Sequence, residues 1–124
     1  MEKVDISITL IAQDDILEYN LSGEYDKEKE IIYYEEENHT KMEFQLKDKK
    51  MVRVLPNGTI ILPFLENEET IGKVIVDSRE LNLPIETNVY RYENQSLELK
   101  YCLGEDTVEY KISFEVKKWV LLDN

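Results

Sequence analysis

The chain has 124 residues, of which 42% are hydrophobic and 34% charged. This length and composition suffice for one globular core, so we interpret residues 1–124 as a single domain. The 27 acidic residues outnumber the 15 lysines and arginines and give a net charge of -12. That charge disfavours nucleic acid and anionic membranes as partners, because both repel an acidic surface.

The first five residues, Met1 to Asp5, lack the basic stretch and apolar run of a secretion signal, and no segment approaches transmembrane length. Cys102 is the single cysteine and cannot form an internal disulfide. Both observations favour a cytoplasmic protein.

The first predicted element is a strand at 4–10, where apolar and polar residues alternate. A period of two is typical of a strand with one buried face. The same alternation returns at 41–47, 97–103 and 108–116. Between these lie weaker segments, each bounded by charged or turn-forming residues, at 16–25, 31–37, 51–55, 59–65, 73–77 and 81–92.

Polar turn residues separate these segments, as expected for hairpins. Asn57-Gly58 is the strongest signal, because both residues tolerate the positive φ that a type I′ turn requires. The other predicted turns are Gln13–Asp15, Asp26–Glu30, Asn38-His39, Lys47–Lys50, Asn94-Gln95 and Gly104–Asp106.

Short strands joined by tight turns form a barrel or a sandwich. Because no long crossover is visible, we favour an all-β, antiparallel, largely up-and-down barrel of about 8–10 strands. Helix is limited to short turns, with Leu65–Thr70 and Lys117–Leu122 as candidates.

Several segments together resemble the YwiB-like family of uncharacterised bacterial calycin-like β-barrels. They are Gly23–Tyr25, Ile32–Glu36, Asn57-Gly58, Ile85–Thr87 and Leu97–Tyr101. The resemblance implies a lipocalin-like barrel and brings no catalytic or ligand-binding residues. The chain departs from the family pattern at Pro56, where the family has arginine, and at Asp77–Glu80, which lacks a glycine and an aromatic residue.

Five residues are candidates for ligand contact. Tyr19, Tyr25, Tyr101 and Tyr110 share parity with apolar neighbours, and a buried tyrosine hydroxyl needs a hydrogen-bond partner. These tyrosines either pack in the core or line a cavity that accepts a polar ligand group. Arg53 lies between two valines, and parity alone leaves its side open; if inward, it must pair with a carboxylate or an anion.

No catalytic or metal constellation is visible. His39 is the single histidine and lies in a predicted turn, Cys102 has polar parity, and the acidic clusters match no calcium-loop spacing. We therefore expect no metal, no cofactor and no enzymatic activity.

Two functions remain in view. The first is a barrel that binds a small apolar or amphipathic molecule, suggested by the family resemblance and the eight tyrosines. The second is a barrel filled by its own side chains, which acts as a protein-interaction module or forms a homo-oligomer through an exposed apolar patch.

Overall fold

Ten segments of this chain form antiparallel strands. Alternating apolar and polar residues favour this structure, because successive side chains of a strand point to opposite faces. The computed structural model describes residues 1–117. The strands are β1 (Glu2–Ala12), β2 (Asp15–Asp26), β3 (Ile31–Glu36), β4 (Thr40–Gln45), β5 (Lys50–Leu55), β6 (Gly58–Pro63), β7 (Glu69–Val76), β8 (Arg79–Glu93), β9 (Ser96–Leu103) and β10 (Asp106–Val116).

Each strand pairs with the next along the chain, and β1 also pairs with β10. Val4 therefore faces Gly23 on one side and Val116 on the other. This pairing closes the barrel and confirms the predicted all-β, up-and-down architecture. Among residues 1–117, no helix is long and apolar enough to cross a membrane.

The core lies inside the barrel, where every second residue of each strand points. On β1 these residues are Val4, Ile6 and Ile8, all at most 2% exposed. Phe44 of β4 and Leu99 of β9 meet them in the same apolar cluster. Burying these side chains supplies the main driving force for folding, because each removes apolar surface from water.

The predicted hairpin at Asn57-Gly58 is present, but the predicted turn type is wrong. Pro56 and Asn57 form the turn, Gly58 already belongs to β6, and neither Asn57 nor Gly58 has a positive φ. Proline fixes a negative φ at the first turn position, which excludes type I′. Position 58 requires glycine for a steric reason, since a Cβ there would lie 2.2 Å from the carbonyl oxygen of Ile75.

The helix predicted over 65–70 is also wrong. Glu66 forms an isolated bridge with Thr87, and the Asn67 N–H donates to the Thr87 carbonyl over 2.8 Å. Asn67 has φ +63, which would interrupt a helix. Among the described residues the one helical element is a 3-10 turn at Glu37–His39; the second predicted helix, at 117–122, lies outside them except for Lys117.

Two sides of the barrel differ in what they present to solvent. Strands β9, β10 and β1 carry polar residues outside, such as Lys111 and Ser113, and we call this the polar wall. Strands β5, β6 and β7 carry apolar residues outside beside polar ones such as Thr59, Glu69 and Lys73, and we call this the apolar wall. Its outward apolar side chains are Val52, Val54, Ile61, Ile71 and Ile75.

Candidate functional site

The barrel has a lateral gap between β2 and β3. Strand β2 pairs with β1 along its length, but its described pairing with β3 covers Glu24–Asp26 alone. The two backbones come close at Gly23, where a Cβ would lie 2.4 Å from the Tyr33 carbonyl oxygen. Beyond this point the two strands diverge, and the remaining part of β2 has a free edge.

A cleft of about 760 Å³ occupies this gap. Leu10, Leu17 and Leu21 give it an apolar side, and Arg53 lies within it. Its other lining residues include Tyr19 and four carboxylates, Glu18, Glu35, Glu36 and Glu37. The cleft is therefore amphipathic, with more negative than positive charge.

Arg53 points into the barrel, which settles the alternative that its sequence parity leaves open. Met51, two residues earlier on the same face of β5, is buried in the core, whereas Val54 is exposed. The Arg53 side chain is 30% exposed, and its Nη2 lies 3.3 Å from Glu36 Oε1. An inward arginine needs such a carboxylate, because an unpaired buried charge is costly.

Two further contacts describe the surroundings of this guanidinium. Its Nε donates to Met42 Sδ over 3.1 Å, and its Nη2 donates to the Tyr110 hydroxyl over 3.5 Å. Burial lowers the pKa of Arg53, but Tyr110 and Glu36 raise it and give a net increase. Arg53 therefore stays charged at any pH at which the protein is folded.

Tyrosine hydroxyls cluster around this ion pair. Burial, followed by Glu36 and Tyr110, raises the pKa of Tyr19 to about 12, whereas Arg53 lowers it. Burial also raises the pKa of Tyr34, and Tyr110, Tyr19 and Glu36 raise it further. Arg53 contacts Glu36 and Tyr110 directly. We call Tyr19, Tyr34, Glu36, Arg53 and Tyr110 the tyrosine–arginine cluster.

The hydroxyl of Tyr34 is the unusual member of this cluster. Tyr34 is 5% exposed, and its hydroxyl has no hydrogen-bond partner among the described residues. A buried hydroxyl without a partner costs free energy, and most such groups in native proteins are paired. Tyr34 therefore offers a donor and an acceptor that the described protein atoms leave unused.

The other two predicted tyrosines take different places. Tyr101 is buried against Phe64, with ring centroids 5.0 Å apart, and its pKa is raised by burial and by Tyr110. It therefore packs in the apolar core. Tyr25 packs on Phe114 at 4.8 Å and belongs to the apolar core.

Sequence reasoning did not select Tyr34 and Glu36 as site residues. Both lie on the inward parity of β3, where Ile32 precedes them in the order Ile32, Tyr34, Glu36. That alternation is visible in the sequence and is the signal that could have found them. Their partner Arg53 comes from β5, with Met42 of β4 between Tyr34 and Arg53 in the register.

The single histidine and the single cysteine lie elsewhere. His39 is almost fully exposed at the rim, with its Nδ1 3.5 Å from Glu35 Oε1. Cys102 Sγ lies 3.5 Å from Asn88 Oδ1 on the outer side of β9. Within residues 1–117 no group of three histidine, cysteine or acidic side chains is arranged to hold a metal ion.

Comparison with known proteins bears on the fold. The sequence matches no protein-family model, and a search of curated proteins finds no match. The barrel is similar to the crystal structure of the ywiB protein from Bacillus subtilis, with a TM-score of 0.63 and 15% sequence identity, over 94% of this chain and 93% of that chain. The chain therefore has a YwiB-like fold.

Proposed function

We propose that this protein binds a small amphipathic molecule in the cleft between β2 and β3. The observation that carries the proposal is the unpartnered Tyr34 hydroxyl in a cluster with Arg53, a charged side chain that reaches a cleft with an apolar side. Ligand sites are typically concave, mostly apolar and equipped with a few converging polar groups.

The chemistry of the cleft narrows the class of ligand. Leucine side chains on β1 and β2 suit an apolar body, and the Arg53–Glu36 pair offers donors beside an acceptor. Glu18, Glu35 and Glu37 add negative charge at the same opening. A neutral or zwitterionic polar group fits these surroundings better than an anion, because carboxylates repel anions.

We also propose that the barrel is calycin-like. Calycin-like proteins are ligand-binding barrels, and the ten-stranded meander with its ends paired is consistent with that class. We propose binding in preference to catalysis, because the cluster presents hydrogen-bonding groups without a nucleophile and activating base in contact. On the same grounds we propose no cofactor, and the acidic surface disfavours nucleic acid and membrane partners.

The test is native mass spectrometry of the protein purified from its own host, compared with the same sample after denaturation. We expect a reproducible mass excess that disappears on denaturation, and the released compound can then be identified. A mass equal to that of the bare chain, or of a whole number of bare chains, would contradict the proposal.

Matched variants then locate the site with the released compound as the probe. Arg53→Met is expected to weaken binding about tenfold or more, equivalent to about 1.4 kcal/mol. Arg91→Met, on the exposed outer side of β8, serves as the control and should bind like the wild type. Equal affinity for the two variants would place the ligand elsewhere.

Tyr34→Phe separates ligand binding from stability. Without ligand this variant should be at least as stable as the wild type, because it removes a buried hydroxyl that has no partner among the described residues. Its affinity for the compound should nevertheless fall. Tyr90→Phe is the control, since the Tyr90 hydroxyl donates to the Leu46 carbonyl over 2.7 Å and its loss should reduce stability without changing affinity.

A further inference from the structure

Strand β2 presents an unpaired edge to the cleft over most of its length. The turn between β1 and β2 has two residues, so the flanking Ala12 and Asp15 form a hydrogen-bonded pair. Hydrogen bonding alternates along an antiparallel ladder, so the N–H and C=O groups of Ile16, Glu18 and Asn20 point away from β1. They point into the gap, where no strand of residues 1–117 pairs with them.

The hydrogen bonds on the other side of β1 agree with this direction. The Lys117 N–H donates to the Lys3 carbonyl over 2.9 Å, so the odd-numbered residues of β1 bond to β10. Its even-numbered residues therefore bond to β2, where their partners are odd-numbered, as in Ile8 with Tyr19. The even-numbered residues of β2 keep their backbone groups free for another strand.

This edge lacks the features that commonly prevent a strand from adding to a sheet. Exposed edges are often interrupted by a proline, a bulge or a lysine. Residues 15–23 contain neither proline nor lysine, and the pairing of β2 with β1 runs from Asp15 to Tyr25 without a register shift. Residues 15–21 alone offer an edge about 24 Å long. A regular edge of this length suits an extended peptide, which adds to it as a further strand.

The inward side chains of β2 suit alternate residues of such a peptide. Leu17, Tyr19 and Leu21 follow one another on the cleft side of the strand, and Leu17 is 57% exposed. Residues opposite each other in an antiparallel pair have their Cβ atoms about 5 Å apart. Apolar side chains at every second position of the peptide would therefore cover this row of β2 side chains.

The charge of the cleft favours a cationic peptide. Four carboxylates and one guanidinium line it, which leaves a charge of -3, and Arg53 is already paired with Glu36. The charged residues that border the cleft on its strands and ladders cancel one another; they are Lys3, Lys41, Lys117, Asp5, Asp15 and Glu24. Glu18 lies on the free edge itself, so a second copy of this edge would be repelled, whereas a lysine or arginine would be attracted.

We propose that the ligand of the cleft is an extended peptide, in which apolar residues alternate with polar residues that include lysine or arginine, and that it adds to β2 as a strand. The inference rests on the proposed function, because it names the class of amphipathic molecule bound there. The peptide backbone bonds to the free edge, its apolar residues cover Leu17 and Leu21, and its basic residues face Glu18.

Amide hydrogen exchange with a defined probe tests this inference. The probe is the capped peptide acetyl-KVTLKVTLK-amide, and its control carries glutamate in place of lysine. In the free protein the amides of Ile16, Glu18 and Asn20 should exchange fast, whereas those of Leu17 and Tyr19 should be protected. The basic peptide should slow exchange at the three fast amides and bind at least about tenfold more tightly than the acidic one.

Two results of this experiment would overturn the inference. One is unchanged exchange at these amides with about 1 mM basic peptide. The other is protection in the free protein that increases with protein concentration, because a second copy would then cover the edge.

Methylated peptides test whether the backbone carries the binding. In a strand added to one edge, only every second N–H bonds to the neighbouring strand. Of two basic peptides N-methylated at odd or at even positions, one should bind like the parent and the other at least about tenfold more weakly. Equal affinities of the two peptides would mean that side chains alone hold the peptide, and would refute strand addition.

A pair of variants at Asn20 tests the same bonds from the side of the protein. Asn20→Pro removes an N–H that points into the gap, and proline is tolerated where the N–H of an edge strand is free. It should weaken binding of the basic peptide about tenfold relative to the control Asn20→Thr, which keeps the N–H. Both variants lose the side-chain contact with Ser7, and circular dichroism verifies that they fold. Equal affinities would contradict the inference, and the methylated peptides decide if the proline variant does not fold.

The compound released in native mass spectrometry distinguishes this inference from the proposed function. A peptide would fragment at successive amide bonds and support both. A compound that is not a peptide, and whose binding depends on Arg53, would overturn the inference and leave the proposed function standing. A bare chain would contradict the proposed function, and the titration with the basic peptide would then decide the inference by itself.

Discussion

The polar and apolar walls are built from strands of the same barrel, yet they differ in how the outer residues are used. Inside, the two walls are alike, since Ile112 of β10 and Leu62 of β6 are both nearly fully buried. Outside, β10 of the polar wall carries only polar residues over 107–115, whereas β7 of the apolar wall carries Ile71 and Ile75. The inward residues are buried when the barrel folds, whereas the outward apolar residues of β7 stay exposed to solvent.

The largest expected effect contrasts an inward with an outward isoleucine. Ile112→Ala should lower the free energy of unfolding by about 2–5 kcal/mol, because it leaves a cavity in the core. Ile75→Ala should change the stability of the monomer by less than about 1 kcal/mol. Urea denaturation at low protein concentration measures both, and equal losses would mean that the apolar wall is already covered within the monomer.

The next contrast compares Gly58, at the start of β6, with Gly104, in the turn between β9 and β10. Gly58→Asn places a side chain against the backbone of β7 and should cost about 1–3 kcal/mol. Gly104→Asn, in the turn between β9 and β10, has φ +62 and open space around it, and asparagine tolerates this conformation. We expect less than about 1 kcal/mol there. The reverse order would show that β6 and β7 are less closely packed than the structure indicates.

These contrasts explain how well the sequence predicts the fold. Strands such as 108–116 are recognisable because one face is dry and the other wet, and the structure confirms them. The apolar-wall strands are less distinct in sequence because both faces are apolar, so 73–77 matches only part of β7. The turn at Asp77-Ser78 was not predicted, although both residues have the positive φ of a type I′ hairpin.

The candidate site is less predictable than the fold, for a physical reason. The side on which Arg53 lies depends on a register of four strands that brings Tyr34, Met42 and Ile60 into line with it. The alternation within 51–55 does not decide the side, because both faces of this strand carry apolar residues. The tyrosines were predictable as inward residues, but whether each one joins Arg53 or the core was not.

Buried tyrosines inside the barrel make the stability depend on pH in the alkaline range. Burial raises the pKa of Tyr101 and Tyr110 on the inner side of the polar wall, and raises that of Tyr19 to about 12. Unfolded tyrosine ionises near 10.0, so the unfolded state loses its protons first. The contribution of these tyrosines to the free energy of unfolding should therefore be constant below that pH and fall as the pH rises towards 12.

Tyr110→Phe tests the origin of this pH dependence. At neutral pH it should cost about 1 kcal/mol, because it removes the hydroxyl that accepts from Arg53. Above pH 10.0 its free energy of unfolding should fall less steeply than that of the wild type. Chemical denaturation over a pH series measures both quantities, and an unchanged slope would show that Tyr110 ionises normally in the folded protein.

The smallest expected effects come from surface ion pairs, one in each wall. Lys73 Nζ lies 3.3 Å from Glu80, and Lys111 Nζ lies 3.8 Å from Glu109. In the monomer, Lys73→Met and Lys111→Met should each change the free energy of unfolding by less than about 1 kcal/mol, as is usual for exposed pairs. A larger loss for Lys73 alone would mean that its pair is shielded from water.

The pairing of β1 with β10 has a consequence for the rate of folding. The other nine ladders join neighbouring strands and can form as local hairpins, whereas this one brings Val4 against Val116, 112 positions along the chain (116 minus 4). Loop-closure entropy makes such distant contacts the slowest to form. We therefore expect closure of the barrel to be a late event in folding, and the β1–β10 ladder to set its rate.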